Sequence, residues 1–206
     1  MSTDLSMPRE PGSVLAQKLR TLRSDLGWSL DVASKNSGVS KAMLGQIERG
    51  ESSPTIATLW KIVTGFGVPL SELIEPALPL PENGLLVRKA ASIRQQPGPD
   101  GMLVAPLFPF ERALGFEVFE LTLLAAYERR SEPHERGTIE HIIVVRGSVD
   151  VLVDGQWLAL NEGEAVRFAA DRPHGYRNTE AAPAVVHNII RYARTPTDIP
   201  MLMPAG

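Results

Sequence analysis

The hydrophobic period of this chain changes once, at a proline-rich stretch, and that change limits it to two differently built halves. Before Pro76-Ala77-Leu78-Pro79-Leu80-Pro81-Glu82-Asn83-Gly84 the apolar residues recur with the helical period of 3.6, and after it they alternate as in strands. Three prolines so closely spaced break helices and stiffen the path, so residues 76–84 read as a linker. Upstream, Val14, Leu15, Leu19, Leu22 and Leu26 predict a helix over 13–26, ended by Gly27. Ser29 caps a second helix over 30–37, with Ala33 and Ser34 as small inward positions. Ile56, Leu59, Ile62, Val63 and Phe66 form the stripe of a fourth helix behind Ser52-Ser53-Pro54-Thr55, and 70–74 is a short fifth. Residues 1–12, with Ser, Pro and Gly, read as a disordered lead-in, and 196–206 as a tail.

The third helix carries the most information. Gly38 permits a sharp turn, Ser40 caps the helix, and Gly50 sits where a left-handed stop is wanted. Leu44 and Ile47 share one face and anchor the segment, with Met43 beside them. Lys41, Ala42, Gly45, Gln46 and Arg49 remain for the outside, a low-bulk face with a few polar tips, as entry into a major groove requires. Lys41 fits either a phosphate or a base, Gln46 either adenine or a buttress of the fold, and Glu48 an ion pair within the domain.

The run Gly38–Gly50, above all Gln46-Ile47-Glu48-Arg49-Gly50, followed by Ser53-Pro54-Thr55 and Leu59, resembles the lambda-repressor-like (xenobiotic-response-element type) helix-turn-helix family. The resemblance covers residues 13–75 and implies a five-helix bundle that binds double-stranded DNA through Ser29, Ser40, Lys41, Ala42, Gln46, Arg49 and Thr55. One departure is Leu30, where the family often has a Gln that braces phosphate and recognition helix.

Beyond the linker, strands are expected over 104–110, 116–124, 141–146, 149–153, 165–168 and 185–192, separated by Arg146-Gly147-Ser148, Asp154-Gly155 and Asn161-Glu162-Gly163. Strands this short and regular suggest an antiparallel sandwich or barrel. Two glycine-bounded segments sharpen this. The first is His134-Glu135-Arg136-Gly137-Thr138-Ile139-Glu140 with Gly147, and the second Gly163 with Asp171-Arg172-Pro173-His174 and Asn178. They resemble the two motifs of the cupin superfamily over residues 85–195, so the fold class expected is α+β with two domains, a helical bundle and an antiparallel cupin β-barrel.

Many cupins bind a metal through His, His, Glu and His. The resemblance places His134 at the first, Glu140 at the Glu and His174 at the last position, while the second is Arg136. A guanidinium has no lone pair to donate, which weakens the metal expectation. Three ligands remain for Zn, Ni, Mn or Fe. Alternatively Arg136 pairs with Glu140 or clamps an effector's carboxylate or phosphate. His134, Arg136, Glu140, His174 and Tyr176 are the expected effector pocket. His141 should face away from it, Trp157 should pack over a hairpin, and Arg129 and Arg130 read as a solvated edge.

Composition bounds the reading. The net charge is −3, and over Arg9–Lys61 eight basic residues stand against five acidic ones, too small an excess for tight binding by one copy. There is no cysteine, which removes disulfides and thiolate metal sites, and no apolar run long enough to span a bilayer. The combined resemblance implies a cytoplasmic one-component transcription regulator: a homodimer on a palindromic operator, with a barrel that binds a small-molecule effector and supplies the dimer interface. The competing expectations are a cupin metalloenzyme (isomerase or dioxygenase) carrying a DNA-binding domain, and a regulator whose cupin only dimerises.

Overall fold

The computed structural model describes residues 11–75, 84–95 and 101–193. Residues 1–10, most of the linker (76–83) and the tail lie outside them. The chain divides into two compact units, with the division after Val87.

The first unit contains α1 (Pro11–Asp25), α2 (Leu30–Ser37), α3 (Lys41–Glu48), α4 (Ile56–Phe66) and α5 (Leu70–Ile74). The helix α1 begins two residues before the expected start, because Pro at a first helical position loses no needed N–H. It ends at Asp25, which leaves Leu26 outside the helix and 46% exposed rather than on its buried stripe. Hydroxyl caps begin the next three helices as the sequence suggests. Ser29 accepts from the Val32 N–H, Ser40 from Met43 and Thr55 from Thr58. At the end of α3 the Glu51 N–H reaches Gln46 O and the Gly50 N–H reaches Ile47 O, with Gly50 at φ 71°, a paired closure that needs a left-handed residue. Leu19, Ala33, Leu44, Ile47, Ile56, Leu59, Ile62, Leu70 and Leu73 fill the core.

Two glycines in this unit are space-limited. Gly45, expected on the outer face of α3, is buried, and a Cβ there would lie 3.0 Å from Arg49 Nη1 and 3.8 Å from Leu30 Cδ1. Gly65 of α4 presses on the end of α2, where a Cβ would stand 2.5 Å from Ser37 Cα and 2.6 Å from Asn36 O. Neither backbone atom can swing away. Gly65→Ala should therefore destabilise this unit by roughly 1–3 kcal/mol despite alanine's better helix propensity, read as a lowered thermal midpoint.

Among the described residues, the second unit opens with a further short helix, α6 (Ala90–Ile93), and continues as nine strands where six were expected. They are β1 (Met102–Glu111), β2 (Phe116–Leu123), β3 (Glu128–Ser131), β4 (Ile139–Arg146), β5 (Ser148–Val153), β6 (Gln156–Asn161), β7 (Ala165–Ala169), β8 (His174–Arg177) and β9 (Ala184–Arg191). The unexpected strands are the charged β3, the glycine-containing β8, and β6, the return arm of the Asp154-Gly155 hairpin. In that turn both residues have positive φ (49° and 80°), which matches the twist of the flanking strands. The strands form two antiparallel sheets, in the orders β1-β2-β9-β4-β7 and β3-β8-β5-β6. Pro106 and Pro109 are tolerated in β1 because it is an edge strand with irregular register. Glu140 of β4 and Tyr176 of β8 are hydrogen-bonded, so the inner faces of the two sheets meet there. Ile142, Val144, Val151, Phe119 and Val186 make up the apolar interior.

Candidate functional sites

In the helical unit the structure separates the candidate DNA-binding residues by role. Lys41, Ala42, Gln46 and Arg49 are exposed on or just after α3, with Leu44 and Ile47 buried behind them. Ser29 and Ser40 are exposed caps, and Thr55 is a half-buried cap whose hydroxyl is also 3.0 Å from that of Thr58. Lys41 Nζ lies 2.7 Å from Asp31 Oδ2, and Arg49 lies 2.7 Å from Glu51, both exposed pairs. Such pairs hold weakly, and a row of phosphates can replace the carboxylates. Glu48 is structural: Arg23 donates to both its oxygens at 2.6 and 2.9 Å and to Trp28 O at 2.7 Å, which ties α1 to α3.

In the barrel, His134, Glu140 and His174 come together from three segments, with one ligand atom of each within 4.8 Å of the others. His134 Nε2 lies 2.7 Å and His174 Nε2 3.6 Å from Glu140 Oε1. The other carboxylate oxygen accepts from Tyr176 OH and, at 3.1 Å, from Asn188 Nδ2. Two donors on Oε2 orient Oε1 towards the imidazoles, the outer support that metal-binding carboxylates use. His174 Nδ1 donates to Arg172 O at 2.8 Å, which leaves its Nε2 as the lone-pair nitrogen. That nitrogen is buried and has no hydrogen-bond partner among the described residues. A buried, unmet imidazole lone pair beside an ionised carboxylate and a second imidazole fits a divalent metal of the zinc, nickel, manganese or iron kind. Such a metal would supply Lewis acidity and an anchor for an oxygen donor.

The electrostatics agree with an ionised carboxylate. Burial pushes Glu140 upward, but the His134 hydrogen bond, the nearby imidazoles and the Tyr176 hydroxyl outweigh it and hold Glu140 down to about 2. Burial lowers His174 against the opposing pull of Glu140, and burial with Glu140 raises Tyr176, so both stay neutral near pH 7. Both lowered groups bind fewer protons folded than unfolded, so their stability contribution is complete above pH 6.5. As pH falls it is lost first through His174 and then, between 4.5 and about 2, through Glu140. The chelator-treated protein should thus show a declining melting temperature below pH 6.5 and a steeper decline below 4.5. A flat profile from pH 7 to 4 would contradict this linkage.

Arg136 departs from expectation. It is exposed in the turn before Gly137, and Glu140 is held by His134, Tyr176 and Asn188 instead. A side chain in that turn avoids burying a guanidinium beside two imidazoles, so neither the Arg136–Glu140 pair nor a place for Arg136 within the buried cluster is found. Asn178 is an anchor: its amide donates to Leu123 O, Leu124 O and Ala182 O, and its Oδ1 accepts from Glu180 N–H. His141 alternates with buried Glu140 and lies on the other face, as expected. Trp157 is covered by Arg177, whose guanidinium carbon is 4.2 Å from the ring centroid. Asn188 was missed by sequence reasoning, although a lone amide between the inward Val186 and Ile190 is a readable signal.

Comparison with known proteins supports both halves. Residues 19–73 match the helix-turn-helix family model and residues 122–190 the cupin domain model. The HTH-type transcriptional regulator SutR of Escherichia coli (strain K12) is 45% identical over 181 residues, 88% of this chain and 96% of that protein. The HTH-type transcriptional regulator PuuR of the same strain is 26% identical over 91% of this chain and 98% of its own length. A crystal structure of an HTH_3 family transcriptional regulator from Vibrio cholerae superposes with a TM-score of 0.76 at 43% identity, covering 89% of this chain and 98% of that one. The chain belongs to the family of HTH-type transcriptional regulators that join an N-terminal helix-turn-helix domain to a C-terminal cupin domain.

Proposed function

We propose that this regulator binds a palindromic operator as a homodimer and that its barrel is a non-enzymatic sensor of a small-molecule effector, with a divalent metal held by His134, Glu140 and His174. The observation that carries the reading is the buried His174 Nε2, which has no hydrogen-bond partner among the described residues although it lies 3.6 Å from the ionised Glu140. A partly satisfied buried polar network is costly, which favours a bound group that meets the open lone pair. On the DNA side, residues 13–75 present Ser29, Ser40, Lys41, Ala42, Gln46 and Arg49, with Thr55 behind them. The modest basic excess of this segment favours two copies, with recognition helices about 34 Å apart. The barrel (residues 85–195), tied on by residues 76–84, would supply the dimer interface, and effector binding would shift how readily both helices engage.

Two measurements on the purified full chain test this. A stoichiometric metal that disappears in His174→Ala would support the metal site, and its absence from both proteins would remove the metal. Gel shift at moderate salt against the DNA upstream of its own gene tests the regulator reading. Equal affinity for scrambled DNA of the same length would sink it. Turnover of a metabolite by the metal-loaded protein, with operator affinity unmoved, would favour the metalloenzyme instead.

A further inference from the structure

The barrel interior holds a cation that sequence reasoning placed on a solvated edge. Arg129 lies in β3 directly across from Tyr176 in β8, in a register without irregularity. Opposed residues on antiparallel strands share a face, with Cβ atoms about 5 Å apart. Tyr176 reaches Glu140 of the other sheet, so that face is the inside. The neighbours Glu128 and Arg130 are exposed, 3.8 Å from each other, on the opposite face. Arg129 itself is half-buried, makes no ion pair among the described residues, and has a buried Nε without a hydrogen-bond partner. Its backbone is held closely: a Cβ on Gly175 would come within 2.5 Å of Arg129 O, so only glycine lets β3 close on β8 here. Asn188 Oδ1 is also buried and without a hydrogen-bond partner among the described residues, in the same interior as Glu140.

We propose that Arg129 is an anion-binding residue of the barrel pocket and that the ligand is a small organic acid carrying a hydroxyl or amino group near its carboxylate. This rests on the reading of the barrel as an effector site. A guanidinium fork matches a carboxylate, and an unpaired buried donor is a standing cost that such a ligand removes. The acceptor Asn188 Oδ1, which has no hydrogen-bond partner among the described residues, suits the ligand's hydroxyl or amino end. A dianionic phosphate fits less well, because one guanidinium would balance half its charge while the ionised Glu140 repels the rest. The electrostatic influence of Arg129 on both His174 and Tyr176 agrees with its closeness to them.

The test is calorimetric titration of the full chain with L-lactate, L-malate, glycine and L-alanine, and with inorganic phosphate for comparison, with and without a zinc salt. Wild type should bind at least one organic acid saturably and more tightly than phosphate. Arg129→Gln should weaken it by about tenfold or more, Arg129→Lys by less, and Arg130→Gln, on the exposed opposite face of β3, should leave it unchanged. Melting curves establish that each variant is folded, and should Arg129→Gln not fold, Arg129→Lys decides by the same criterion. No saturable acid binding by wild type under either condition, phosphate preferred over every acid, or equal binding by the folded Arg129 variants would overturn the proposal. An acid that binds through Arg129 without moving operator affinity would leave Arg129 in place and remove the effector reading.

Discussion

Replacing Gln46 by alanine should abolish most of the discrimination between operator and scrambled DNA while leaving the fold intact. Gln46 is exposed on α3, and alanine is the better helix former, so the bundle has no reason to weaken. A bidentate amide–adenine contact is worth about 1–3 kcal/mol, and a symmetric operator would contain it twice, which gives a loss of roughly 30-fold to 20,000-fold. Lys41→Ala should behave differently. It should weaken operator and scrambled DNA alike and flatten the salt dependence by about one unit per copy, because a phosphate contact carries no sequence information. Fluorescence anisotropy at several salt concentrations separates the two. An unchanged operator-to-scrambled ratio in Gln46→Ala would mean that α3 reads the operator through other residues.

Glu140→Ala should be the most damaging single change in the barrel. The carboxylate is fully buried and holds His134, Tyr176 and Asn188 together. Its removal leaves buried donors and an imidazole pair with nothing to face. Breaking a buried charged network in this way costs about 3–5 kcal/mol, which for a unit near 100 residues lowers the midpoint by roughly 12–25 °C. Calorimetry of the full chain should show that loss in the transition of the β unit, with the helical unit unaffected. A shift of only one or two degrees would mean that water already reaches the cluster and that the network contributes little.

The helical half was readable because its signals are local. Ser29, Ser40 and Thr55 cap the helices that follow them, Gly38 and Gly50 occupy left-handed positions, and the buried stripe of α4 consists of the residues with helical spacing. What escaped there is non-local: Gly65 is glycine because of where Ser37 lies, and no pattern within α4 reveals it. In the barrel, the histidines and Glu140 were legible from the spacing of two motifs, and their convergence follows from the folding of those motifs onto facing sheets. Arg129 was misplaced for a different reason. It sits in a charged segment where periodicity is silent, and only the pairing of β3 with β8 shows which of Arg129 and Arg130 shares a face with Tyr176. A four-residue strand reading Glu-Arg-Arg-Ser carries no hydrophobic alternation by which to assign its faces.

The claim on which the rest depends is that the state of the barrel pocket sets operator affinity. It is tested by measuring the dissociation constant for the chain's own upstream DNA with and without the small-molecule fraction of its source cells, in wild type and in a folded His174→Ala variant. A coupling of about 1–3 kcal/mol predicts that the fraction moves wild-type affinity by roughly 5-fold to 150-fold and leaves His174→Ala unmoved. No shift in wild type, or the same shift in both proteins, would contradict the account.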